Sequence, residues 1–289
     1  MTNVTEETIT DLVLDALKRT PDARTKAVME ALVRHVHAFV REVEPSEEEW
    51  LAGIKFLTAT GKMCSDERQE FILLSDTLGV TALVDAINHR YPSEATANSV
   101  LGPFYFEDRP RAVPGSDISR GAAGVPMYFA GRILDEQGAS VVGAAVDIWH
   151  ADGEGHYDVT HPEHRHGESA MRALLQTDEE GRFHFRSVLP VSYPIPDDGP
   201  VGMMVRVTGR SNVRPAHVHV RVDAPGFHRL TTMLFVEGDP YMADDPVFGV
   251  KDGLVHPFAL MPAGCMPDGI VSDVPYYSVD YDFRLASVV

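Results

Sequence analysis

The chain has 289 residues, 44% of them hydrophobic and 24% charged, enough apolar material for a sizeable core and, by length, about two domains. Its 25 Lys and Arg stand against 43 Asp and Glu, a net charge of −18, which argues against nucleic-acid binding because phosphate neutralisation needs clustered cations. No stretch approaches the ~18 consecutive apolar residues of a membrane span, and MTNVTEETITD lacks the basic-then-apolar pattern of a secretory signal. Cys64 and Cys265 are too few for a disulfide framework, so two small buried thiols in a cytoplasmic protein are expected.

The first stretch has helical periodicity. Ile9, Leu12, Val13, Ala16 and Leu17 share one helix face, and Pro21 is expected to open a second helix through AVMEALVRHVHAFV. His35 and His37 lie two apart on that helix and face different ways, which suits surface or interface roles. In PSEEEWLAGI, Ser46 with Glu49 three residues on reads as a capping box starting a third helix. A fourth is expected from near Ser65 through QEFILLSDTLG to Gly79, and a fifth over TALVDAINHR. Residues 1–98 are thus read as a helical N-terminal region.

From residue 99 to 289 the punctuation changes. SVLGPFYFEDRP reads as a linker, and short alternating runs follow: YFAGRIL, AAVDIW, RFHFRSV, GMMVRV, HVHVRV, TTMLFV and YSVDYDF. The DEQG and DEEG sequences, at 135–138 and 178–181, look like hairpin turns. Short strands without intervening helical periods predict a mainly β domain, an antiparallel β-sandwich or barrel.

Chemistry concentrates in RPAHVHVR. His217 and His219 alternate with Val218 and Val220, so a strand puts both imidazoles on one face. A solvated polar face would explain a lone His-x-His, whereas a metal site needs further ligands. His161, His164 and His166 fall in a loop-like HPEHRH stretch, and His150 and His156 flank a turn. Tyr157 follows the ADGEGH turn, and Tyr193 precedes Pro194 and Pro196, which stiffen its backbone. Each tyrosine alone would read as a core-rim residue. Together, two imidazoles and two phenolates form a hard, anionic donor set suited to a trivalent metal.

WHADGEGHYD, PVSYPIP and RPAHVHV, in this order, resemble the intradiol catechol dioxygenases over nearly the whole chain, the VLGPF segment included. The resemblance implies one ferric iron per subunit, with Tyr157, Tyr193, His217 and His219 as ligands, Tyr193 and His219 axial. It implies that a vicinal aromatic diol chelates the iron, displaces Tyr193 and is opened by O2 to a cis,cis-muconate. Tyr193 is then a proton acceptor, and Arg214 stabilises carbanion character on the ring. FILLSDTLG and LFVEGDPYMADDPVFGVKD are most similar to the branch that cleaves hydroxyquinol, 1,2,4-trihydroxybenzene, to 3-hydroxy-cis,cis-muconate (maleylacetate). Its substrate wall corresponds to Leu73, Asp76, Val100, Leu101, Gly102, Ile195, Pro196 and Val247, with Arg214. Met233 stands near the iron where catechol enzymes have glutamine, a departure that affects pocket chemistry.

Asp76 is the discriminating position, since a carboxylate facing the ring would bond a third hydroxyl; otherwise it is a mid-helix surface residue. Catechol or chlorocatechol cleavage is the alternative substrate reading. The family also implies a homodimer through the N-terminal helices with bound phospholipid at the interface. A cupin would place glutamate four or five residues after His219, where Asp223 and Ala224 stand. A non-enzymatic β-sandwich binding module would leave the Tyr/Tyr/His/His order unexplained and the protein colourless.

Overall fold

Helices α1 (Ile9–Leu17), α2 (Ala23–Val43), α3 (Glu47–Lys62), α4 (Glu70–Thr77) and α5 (Val80–Asn88) lead the chain. The computed structural model describes residues 3–65, 68–92, 94–107, 109–160 and 169–288. The capping box at α3 is present in both directions: Ser46 N donates to Glu49 Oε2 (2.8 Å) and Glu49 N to Ser46 Oγ (3.2 Å). At α2 the cap is Asp22, whose side chain accepts from Thr25 N at 2.7 Å, so Pro21 precedes the helix and does not open it.

The chain forms two compact units, Met1–Ala59 and Thr60–Val289. In the first, α1 packs on α2, with Thr10 Oγ1 2.9 Å from His37 Nδ1. Val36, Phe39 and Val40 of α2, and Trp50 and Ile54 of α3, stay exposed. The sequence places a domain boundary near residue 98, whereas compactness divides the chain within α3. The reason is that α4 and α5 are tied into the second unit, through Val201 N to Glu70 Oε1 (3.2 Å) and Lys251 Nζ to Asp85 Oδ2 (2.9 Å).

The second unit continues as β1 (Pro126–Asp135), β2 (Ala145–His150), β3 (Arg172–Gln176), β4 (Arg182–Val188), β5 (Tyr193–Pro194), α6 (Pro200–Val207), β6 (Val213–Arg214), β7 (His217–Asp223) and β8 (Leu230–Val236). It ends with β9 (Val255–His256), β10 (Ala259–Met261), β11 (Gly264–Cys265), β12 (Val271–Ser272) and β13 (Tyr276–Leu285). One sheet runs β10-β13-β1-β4, another β3-β2-β7-β8-β9. A single buried cluster takes Phe129, Phe183 and Phe283 from the first sheet and Val146, Val218 and Val220 from the second. Each such side chain contributes about 1.5–3 kcal/mol by leaving water.

Four expectations are corrected. The sheets are not purely antiparallel: β1 pairs with β13, and β8 with β9, in parallel. Both pairings join strands linked by long excursions of chain, so no tight hairpin dictates their direction. DEQG and DEEG do form turns, with Asp135 Oδ1 and Asp178 Oδ1 each accepting two backbone N–H groups. They carry the chain between the two sheets, however, so the named strands on either side do not pair with each other, although DEQG closes one local antiparallel bridge, Leu134 with Ser140. GMMVRV, read as a strand, lies in α6. Pro200 sits in the first helical turn, where its missing N–H costs nothing, and the Glu70 carboxylate accepts from the neighbouring Val201 N. Cys64 is half-buried and Cys265 exposed, contrary to the expectation of two buried thiols.

Candidate metal centre

The period-2 alternation of β7 sends Val218, Val220 and Val222 into the core shared by the sheets, and His217 and His219 to the opposite face. Both imidazoles are buried all the same. After β2 the chain reverses in a turn where Asp152 Oδ1 accepts from Glu154 N (2.8 Å) and His156 N (2.9 Å). Gly155 in this turn has φ +87°, and a Cβ there would lie 3.0 Å from Tyr193 Cβ. Glycine therefore lets the turn close onto the tyrosine segment and deliver Tyr157. Tyr193, on β5, pairs with Arg214 on β6, which sets both residues beside the start of β7.

The four polar tips converge. Tyr157 Oη is 3.2 Å from Tyr193 Oη and 3.4 Å from His217 Nε2. His217 Nε2 is 3.5 Å from Tyr193 Oη and 3.2 Å from His219 Nε2. His217 Nδ1 lies 2.7 Å from the Pro215 carbonyl, which makes Nδ1 the protonated nitrogen and turns the Nε2 lone pair to the cluster. Edges of 3.2–3.5 Å match the separations left by first-row metal–ligand bonds of about 2.0–2.1 Å around one ion. Two phenols and two imidazoles, all buried, fit a hard trivalent cation, with the phenolates offsetting much of its charge.

The electrostatics agree. Burial, followed by Arg214, pushes His217 down to about 3, and burial with His217 takes His219 well below the usual imidazole range. Burial, followed by Tyr193, drives the Tyr157 phenol well above 10. Left to themselves these groups stay neutral, and a bound cation reverses that preference by making the phenolate the favoured form. Trp149 stacks on His219 with ring centroids 4.6 Å apart and 9° between planes, fixing the imidazole from behind.

Arg214 is 3% exposed. Its Nη1 lies 3.3 Å from His217 Nε2, its Nη2 donates to Met233 Sδ (3.3 Å), and its Nε donates to Asp245 Oδ1 (3.1 Å). Burial alone would lower the affinity of the guanidinium for its proton, but Tyr193 and Asp245 raise it, so the charge is secure. Met233 thus accepts a hydrogen bond from the arginine, where an amide could also have donated one.

Of the expected substrate wall, Val100, Ile195, Met233 and Val247 form one buried cluster with Leu73 packed on it. Leu73, Asp76 and Pro196 line a cavity of about 450 Å³ that also reaches Phe104, whose ring centroid is 4.5 Å from that of Tyr157. Gly102 lies against the cluster, since a Cβ there would sit 3.3 Å from His219 Cε1. Leu101 does not join this wall; its side chain is exposed. Asp76 is no surface residue: it is 5% exposed, and Oδ1 has no hydrogen-bond partner among the described residues. Burial raises its pKa, against the opposing pull of Thr81 and Arg214.

His150 is buried and structural, its ring nitrogens 2.7 Å from Ala151 O and 2.9 Å from Ser187 Oγ. His156 belongs to the turn that delivers Tyr157. His161, His164 and His166 lie outside the described residues. Sequence reasoning missed Asp245, which nothing in DDPVFG distinguishes from a loop aspartate. It also treated Phe104 as part of a linker, although VLGPF runs directly past the donor cluster.

Comparison with known proteins gives the family. The sequence model for the N terminus of catechol dioxygenases matches residues 22–96, and that described as Dioxygenase matches 101–287. The chain is 45% identical to a hydroxyquinol 1,2-dioxygenase of Nocardioides simplex, over 97% of this chain and 95% of the relative. It is 44% identical to a 6-chlorohydroxyquinol 1,2-dioxygenase of Cupriavidus pinatubonensis, over 97% of each. The solved structure of a hydroxyquinol 1,2-dioxygenase from Pseudomonas putida DLL-E4 superposes with a TM-score of 0.91 at 44% identity, covering 98% of this chain and 99% of the other. The chain belongs to the intradiol ring-cleavage dioxygenases of the catechol dioxygenase family.

Proposed function

We propose that this protein is a hydroxyquinol 1,2-dioxygenase, opening 1,2,4-trihydroxybenzene between its vicinal hydroxyls with both atoms of O2 entering 3-hydroxy-cis,cis-muconate. The observation that carries the reading is the buried convergence of Tyr157, Tyr193, His217 and His219 next to a cavity lined by Asp76, whose Oδ1 has no hydrogen-bond partner among the described residues. Those four residues would hold one ferric iron per subunit. When bound, the iron supplies a Lewis-acidic centre that makes a chelated diol reactive towards dioxygen.

The protein's own groups do the rest. Tyr193 takes a phenol proton from the entering diol. Arg214, its charge held by Asp245, stabilises negative charge as it builds on the ring, a preorganised electrostatic role. Leu73, Val100, Ile195, Pro196, Met233 and Val247 enclose the ring and exclude water, while Gly102 leaves room beside His219. Asp76 Oδ1 accepts from the third hydroxyl, which catechol lacks, and this favours hydroxyquinol over catechols.

The two sheets are read as the faces of a β-sandwich, with Leu101 and the exposed apolar faces of α2 and α3 available to a second subunit and to phospholipid. Among the described residues no helix is long and apolar enough to cross a membrane, in keeping with a cytoplasmic enzyme. Oxygen uptake by the iron-loaded protein with hydroxyquinol and catechol tests the function. Faster uptake with hydroxyquinol is expected; faster uptake with catechol would move the protein to the catechol-cleaving branch, and none with either would refute the reading.

A further inference from the structure

A buried guanidinium requires a partner, and the partner's geometry decides where the free N–H groups point. Asp245, 7% exposed, grips Arg214 side-on: Oδ1 accepts from Nε at 3.1 Å and Oδ2 from Nη2 at 3.3 Å. This grip occupies one edge of the guanidinium. The remaining nitrogen, Nη1, is thereby aimed at His217 Nε2, 3.3 Å away, and so at the donor cluster.

The same carboxylate organises the turn that follows it. Oδ1 also accepts from Val247 N (3.4 Å), and Oδ2 from Gly249 N (2.9 Å). Val247 is in the apolar wall, so one side chain sets both the cation and part of the pocket. The turn is anchored from two other sides. Ser99 Oγ donates to Gly249 O (2.8 Å), and Arg210 donates from Nη2 to Pro246 O (2.9 Å) and from Nη1 to Thr77 O (2.6 Å), beside Asp76. There is no slack at Gly249: a Cβ would fall 2.9 Å from Arg214 Nη2 and 3.1 Å from Asp245 Oδ2.

We propose that Asp245 is a positioning residue for ring cleavage, orienting the Arg214 guanidinium towards the reacting diol. The inference rests on the dioxygenase reading above. A mere neutraliser of buried charge would be replaceable by any anion of similar reach; a positioning residue depends on where its two oxygens lie.

The test uses the iron-loaded protein, with kcat expressed per bound iron so that unfolded or metal-free molecules do not count. Asp245→Asn presents one oxygen where two are needed. Its kcat with hydroxyquinol is expected to fall ten- to a hundredfold, while the anaerobic Kd for hydroxyquinol, read from the visible band, changes less than threefold. Asp245→Glu retains the charge but moves it, and Gly249→Ala moves the ion pair with both charges in place; both are expected to recover less than a fifth of wild-type kcat. Thermal melts report folding separately. A kcat for Asp245→Asn within twofold of wild type, or full recovery in Asp245→Glu, would overturn the proposal. A wild-type protein that opens neither hydroxyquinol nor catechol would instead overturn the dioxygenase reading itself.

Discussion

Replacing Asp76 by asparagine separates its proposed part in substrate choice from its effect on folding. Asp76 lines the cavity, and its Oδ1 is buried without a partner among the described residues. A polar atom in that condition costs about 1–3 kcal/mol, a cost removed when a third ring hydroxyl donates to it and retained when catechol is bound. The preference for hydroxyquinol over catechol that Asp76 supplies is therefore about five- to 150-fold in kcat/KM. Asparagine keeps the shape but substitutes a weaker neutral acceptor. The preference is expected to shrink by at least fivefold in Asp76→Asn, and that of Asp76→Leu to vanish. Both variants are expected to melt at or above the wild-type temperature, because a desolvated carboxylate has been removed. Oxygen-uptake kinetics on both substrates and thermal melts measure the two effects. A substrate preference unchanged within twofold, or a large loss of stability, would refute the reasoning and make Asp76 a structural aspartate.

The remaining predictions concern neighbouring groups. Arg214→Met is expected to lower kcat about 10²–10³-fold and to destabilise by about 3–5 kcal/mol, because Asp245 is left buried and unpaired. Arg214→Met with Asp245→Leu should regain most of that stability by chemical denaturation yet stay inactive; no regain would show that the pair is not energetically coupled. Gly102→Ala introduces a Cβ 3.3 Å from His219 Cε1 at a φ of +74°, so iron is expected to be lost faster to a chelator than from the wild type. Equal rates would show that His219 tolerates the contact. His150 is held down to about 4 by burial, so the folded state excludes a proton that the unfolded chain binds below about 6.5. Its contribution is complete above pH 6.5 and disappears as the pH falls towards 4, a loss of about 3 kcal/mol. Urea denaturation should show that decline in the wild type and a shallower one in His150→Gln; parallel declines would exclude His150 as the cause.

Much of this site was legible because its candidate ligands lie in short, directional contexts. The alternation in HVHV is enough to put His217 and His219 on one face, and the structure places them there with the valines in the core. The Ser46–Glu49 capping box was readable for the same reason, being a contact between residues three apart. What failed depended on distant partners. GMMVRV alternates like a strand, but Pro200 and the Glu70 carboxylate, far away in sequence, favour a helix start. The two Asp-Gly turns were visible as turns, while the sheet to which each returned the chain was set by the shared core. Asp76 and Asp245 look alike in sequence. Only the fold reveals that one is buried without a partner for Oδ1 and that the other is spent on an arginine.

The most direct test of the central claim is the visible spectrum of the iron-loaded protein, recorded alone, after anaerobic addition of hydroxyquinol, and again after O2. The account predicts a red protein with a phenolate-to-iron charge-transfer band that shifts on substrate binding and returns as oxygen is consumed. In Tyr157→Phe and Tyr193→Phe the band should weaken or move. Stoichiometric iron with no visible band, or a band indifferent to both tyrosines, would contradict the tyrosine–histidine centre on which the rest depends.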